Sequence, residues 1–251
     1  MPAMDLFTYH HTDQPKTAPR LLFDYLESDT GNYWRIWLAV DRVYLYRMGQ
    51  ELISRDEEMR NMEADLMVRR LECALLLAQS GIFRFKCTSR WRFNDIEFKD
   101  TSIVSCDITG TANTKVTKKI VDWFYAFSRF TFIRRAAEDA YLASIMKPEA
   151  IFFVYRGFEW LKKALNVSWD NLGQAVDVPQ DNIKHLKKIA NNPDEAARHA
   201  SDTGYKVHFG EEVLPTWVYG LLHGIVHARR QLDPEFSALV EKKGNPWPLD
   251  E

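Results

Sequence analysis

The sequence predicts an α+β fold, mostly α: a small antiparallel sheet plus one long helix N-terminally, and a helical bundle C-terminally. Three observations carry this. Aromatic and β-branched residues alternate with polar ones through much of 20–48 and 82–108, the period of half-buried strands. From Thr114 onward the apolar spacing is helical to the end. The composition shifts near Thr109–Thr114, the one candidate boundary, dividing a mixed α/β part, 1–112, from a helical part, 113–251. With 251 residues, 46% of them hydrophobic, the chain can build one large core or two small ones.

Each element has its own signal. Residues 1–19 hold three prolines and the pair His10-His11, and read as a loosely held arm. RLLFDYLES and YWRIWLAV read as strands separated by the turn signal ESDTGN, and VDRVYLYRM continues in period two; 33–48 also admits a helix. Residues 55–79 are helical, with Met59, Met62, Leu66, Val68, Leu71, Leu75 and Leu76 recurring at helical spacing, the two methionines as core filler, and Gly81 as terminator. Residues 82–108 return to period two and fit two or three strands, with a turn at Asn94-Asp95. Residues 114–146 fit one long helix or a kinked pair. Residues 148–165 begin at Pro148 and are apolar around most of the circumference, the mark of a central helix; Arg156 and Glu159 stand at ion-pair spacing. Ser168, Pro179, Pro215 and Asp233-Pro234 open the remaining helices. The predicted bundle core is Phe152, Phe153, Tyr155, Phe158, Trp160, Leu161, Leu186, Ile189, Leu221, Leu222 and Ile225.

Composition excludes several classes. A formal net charge of −2 gives no global basic field for nucleic acid, leaving only local patches. Cys73, Cys87 and Cys106 form no C-x-x-C pair and no disulfide framework, as expected of free thiols in a reducing compartment. No basic segment followed by an apolar run marks a signal peptide, and no uncharged apolar run is long enough to span a membrane. A cytoplasmic protein without membrane association is expected. The glycine-rich phosphate loops and the G-x-S-x-G elbow are absent from the sequence.

Three groups of residues are able to do chemistry. Arg84, Lys86, Arg90 and Arg92 interleave with Phe83, Phe85, Trp91 and Phe93, either as a base-stacking sheet or as a half-buried sheet with a solvated basic face. His223 and His227 share a helix face at i,i+4, the spacing of zinc helices; but Gly224 stands where H-E-x-x-H has its glutamate, and Arg229 and Arg230 oppose a cation. They read as packing or interface histidines, and neither metal nor cofactor is expected. The densest group is the stretch 183–208, IKHLKKIANNPDEAARHASDTGYKVH. Asn192-Pro193 reads as a helix cap followed by its first residue, where free backbone N–H groups favour an anion. Asn191, Arg198 and His199 are expected to form that anion site, with Lys184, Lys187 and Lys188 raising the local potential. The expected ligand-binding residues are Asn191, Asn192, Lys184 and Lys188, and the expected catalytic residues Arg198, His199 and His208.

YRGFEWLKKAL, IKHLKKIANN and ARHA together resemble HEPN-type proteins, a helical-bundle family that includes many prokaryotic ribonucleases and nucleotide-binding modules; the resemblance covers roughly residues 115–231. It implies a bundle that pairs as a homodimer, handles RNA or nucleotide, and serves a bacterial defence or toxin-like system. The family's ribonucleases carry Arg, four to six residues, then His; here the positions after Arg198 that would hold the histidine are Thr203, Gly204 and Tyr205. Metal-independent RNA cleavage, with His199 or His208 as base and Arg198 on the phosphate, is therefore expected to be degenerate or absent. The alternative is a non-catalytic interaction subunit whose N-terminal sheet binds a protein partner.

Overall fold

A computed structural model describes residues 3–11, 21–26, 33–38, 42–49, 56–78, 82–93, 114–146, 149–191 and 213–243. The fold is α+β and mostly helical, and the chain divides into two compact units, Met1–Ser128 and Arg129–Glu251.

Among the described residues, the first unit holds five strands in one antiparallel sheet of order β2-β3-β4-β1-β5: β1 (Ala3–His11), β2 (Leu21–Leu26), β3 (Tyr33–Leu38), β4 (Arg42–Gly49) and β5 (Phe85–Phe93). The expected N-terminal arm is instead an interior strand. Its prolines, Pro2, Pro15 and Pro19, lie outside Ala3–His11, and the strand itself alternates, burying Asp5, Phe7 and Tyr9. It pairs with β4 through Asp5↔Arg47 and with β5 through Asp5↔Arg92, with a bulge between Thr8 and Tyr9. Tyr33–Leu38 and Arg42–Gly49 are strands, not a helix. Of the strands expected over 82–108, β5 is described; the turn at Asn94-Asp95 lies outside the described residues.

One face of this sheet is covered by α1 (Glu57–Leu77) and α2 (Thr114–Arg129). Directly opposed residues of a ladder share a face, so Tyr25, Trp34, Arg47 and Asp5 form one buried row. Helix α1 meets that row with charge: Glu63 pairs with the fully buried Arg47, and Arg60 Nε lies 3.5 Å from Asp5 Oδ2. Arg47 also lies over the Trp34 ring, 4.9 Å from its centroid. Helix α2 packs by aromatic edges, Phe124 against Phe23 and Tyr25 at 5.0 and 5.3 Å, and Tyr125 donates a hydrogen bond to the Asp24 carbonyl. These contacts place α2 with the sheet, although its sequence period belongs with the helical part. Met59, Met62 and Leu66, expected in the core, are 48%, 55% and 41% exposed; Val68, Leu71 and Leu75 of the same expected set are buried, and Met67 is buried with them.

The second unit is the bundle: α3 (Thr131–Ile145), α4 (Ala150–Leu165), α5 (Trp169–Val176), α6 (Gln180–Asn191), α7 (Val213–Leu232) and α8 (Pro234–Lys243). The helical pattern over 114–146 is a pair, broken at Phe130 (φ −122°, ψ 82°). Helix α4 touches α3, α5, α6 and α7, the central position its apolar circumference implies. Of the expected core, all but the half-buried Phe152 and Trp160 are buried. Arg156 pairs with buried Asp139 on α3 rather than with Glu159: its Nε donates to both carboxylate oxygens, at 3.0 and 2.9 Å, and its guanidinium lies 5.2 Å from both Phe152 and Phe153. Among the described residues, Cys73 is buried and Cys87 half-buried, neither in a disulfide, and no helix is long and apolar enough to cross a membrane.

Candidate functional site

The expected site divides. Lys184 and Lys188 lie on α6, and Asn191 is its last residue; Asn192, Arg198, His199 and His208 lie outside the described residues. Two constellations are built from the described ones, both in the bundle.

The first is a cavity of about 380 Å³ lined by Trp169, Asp170, Gln180, Ile183, Lys184, Lys187 and Lys188. Gln180 fixes its shape, accepting from the Gly173 N–H at 2.8 Å and donating to the Trp169 carbonyl at 2.8 Å, so that the start of α6 is tied to α5. Ile183 and Leu186 face inward, which turns Lys184, Lys187 and Lys188 outward on the same helix. Trp169 stacks on Tyr155 with centroids 5.2 Å apart and planes 14° from parallel, and Lys187 Nζ stands 5.9 Å from the Trp169 centroid. An indole platform beside three ammonium groups suits a planar ligand carrying negative charge. Trp169 had no place among the expected site residues; the sequence signal for it was an aromatic residue next to the cap-like Ser168.

The second joins Asp177 to His223 and His227. Helix α5 ends at Asp177 in the left-handed region (φ 54°, ψ 47°), its N–H donating to the Gly173 carbonyl. Both imidazoles direct Nε2 at the same oxygen, Asp177 Oδ2, at 3.2 Å from His223 and 3.3 Å from His227. The two rings lie 4.4 Å apart. Gly224 eases the approach: a Cβ there would come 3.1 Å from Leu161 Cδ1 and 3.3 Å from Val176 Cβ, tighter than most such contacts. Helix α7 thus packs closely on the end of α5 at Val176, and the next residue of the chain is Asp177. Burial, reinforced by neighbouring His223 and Arg230 and opposed by Asp177, holds His227 below the ordinary imidazole value of 6.5, favouring its neutral form. The i,i+4 spacing of the histidines was legible in the sequence; the carboxylate, separated from them by α6 and everything up to α7, was not.

No protein-family model, curated protein or solved structure matches the chain.

Proposed function

We propose that the bundle is a HEPN-like module that binds the phosphates of RNA or of a nucleotide, with ribonuclease activity degenerate or absent. One observation supports this above the others: Lys184, Lys187 and Lys188 share a cavity with Trp169. Ammonium groups attract phosphate without reading sequence, and an indole face stacks any base. The same helix leads in sequence into the segment bearing Arg198, His199 and His208, which lies outside the described residues. The test is binding of a short single-stranded RNA and of ATP across a salt series. Each lysine removed by Lys184→Ala, Lys187→Ala or Lys188→Ala should lower the salt slope by about one where it meets a phosphate. Trp169→Leu should weaken binding by about 1–3 kcal/mol with the slope kept. Binding that ignores all four substitutions, or no binding by the unaltered protein, overturns the reading.

A second reading rests on α1. Met59, Met62 and Leu66 are exposed at helical spacing on one face of the N-terminal unit, an apolar stripe suited to a protein partner. A photocrosslinking residue at position 62, with exposed Glu58 as control position, should give one defined adduct in the host cell; equal labelling at both counts against it.

A further inference from the structure

We propose that Asp177, His223 and His227 form a binding site for a divalent transition-metal ion of the zinc class, with a coordination position left open to solvent. It is independent of the phosphate reading. Trp169 and Asp177 stand at opposite ends of α5, about 12 Å apart along its axis, so an ion at one does not touch a ligand at the other.

Geometry carries the inference. One ligand atom from each of the three residues lies within 4.8 Å of the others. Bonds of about 2.0–2.2 Å at the tetrahedral angle put neighbouring ligand atoms about 3.4 Å apart. The two Nε2–Oδ2 separations, 3.2 and 3.3 Å, match that edge. Two imidazole nitrogens and one carboxylate oxygen form a borderline donor set, which selects Zn²⁺, Co²⁺, Ni²⁺ or Fe²⁺ over the hard ions Mg²⁺ and Ca²⁺. The chain also fixes the donors before any ion arrives. The histidines are one helical turn apart and 12% and 23% exposed, and Gly224 holds their helix against Val176. Asp177 occupies a left-handed position that glycine would take at lower cost, and does so with a side chain that reaches both rings. That side chain is 68% exposed, so the site opens to water, and three protein ligands leave room for one exchangeable group.

A dication can take both ring nitrogens and the carboxylate oxygen at once. Of the two cations that follow on α7, buried Arg229 pairs with Asp233 at 3.5 Å and covers the Phe236 ring at 3.9 Å. Arg230 acts on His227, so its field opposes the ion.

The experiment uses the full chain without an affinity tag, stripped with chelator and titrated with Co²⁺, then with Zn²⁺ as competitor. One Co²⁺ per chain, the strong visible bands of a four-coordinate ion, and displacement by Zn²⁺ are expected. Asp177→Asn, or His223→Gln with His227→Gln, should weaken binding at least about a hundredfold, beyond what loss of a supporting hydrogen bond costs. Asp177→Gly guards against misfolding: it relieves the left-handed position, so it should lose the ion while keeping or raising the metal-free Tm. Arg230→Gln should tighten the site. Co²⁺ binding no tighter in the unaltered protein than in the double histidine variant, including binding retained at His10-His11, overturns the proposal. So does a tight complex whose spectrum survives Asp177→Gly.

Discussion

Residue by residue, the informative side chains are charged ones facing inward. Asp139 is 2% exposed and Arg156 36%, so the desolvation of their pair falls mainly on the carboxylate. Burial outweighs the guanidinium and holds Asp139 above the ordinary 3.8, while the pairing raises Arg156. A carboxyl raised on folding binds its proton more tightly in the native state. Its contribution is therefore fully present below 3.8 and is lost as pH rises through the native value. Arg156→Met strands the carboxylate and should cost about 3 kcal/mol at neutral pH. The deficit should shrink on acidification, as measured by urea unfolding at several pH values, and Asp139→Asn in the same chain should recover most of it. A deficit that does not change with pH would mean that Asp139 is not the group responsible.

At the scale of single elements, α4 and α1 make opposite cases. Helix α4 is apolar nearly all round and its burial was legible. Phe158→Ala opens a cavity at a fully buried position and should cost about 3–5 kcal/mol in chemical denaturation. Helix α1 is also apolar over much of its surface, which is why its inward face was not legible. The face that packs is marked by charge: Arg60 and Glu63 turn toward the sheet because Asp5 and Arg47 wait there. Periodicity treats charge as outward-facing, so it placed Met59 and Met62 inside. Met67→Ala, 2% exposed, should cost about 2–5 kcal/mol. Met59→Lys should fall within about 0.5 kcal/mol of the parent. Equal losses from the two would mean that the outer face of α1 is covered. The same limit of local pattern hid Asp177: two histidines one turn apart are visible in a helix, but a carboxylate in a turn before another helix acquires meaning only when α5 and α7 pack.

For the whole molecule, the resemblance to HEPN-type bundles leads to an expected homodimer, read by light scattering; a clean monomer at high micromolar concentration would count against it. Residue-level periodicity was enough for the fold class because most helices and strands carry their own signal, β1 being the exception. It was not enough for the sheet order, which depends on partners far apart in the chain, and β1 shows what that distance entails. Met4 pairs with Met48 on one side and Phe93 on the other, so the strand made first lies between the strands made fourth and fifth. At roughly 5–20 residues per second, the ribosome takes several seconds to supply the second neighbour. Through that interval DLFTY, with its apolar side chains and open edge, needs either a temporary cover or slow competing association. Newly made chains should therefore depend on holding chaperones early in synthesis, before any of the bundle exists, and lose that dependence once β5 has emerged.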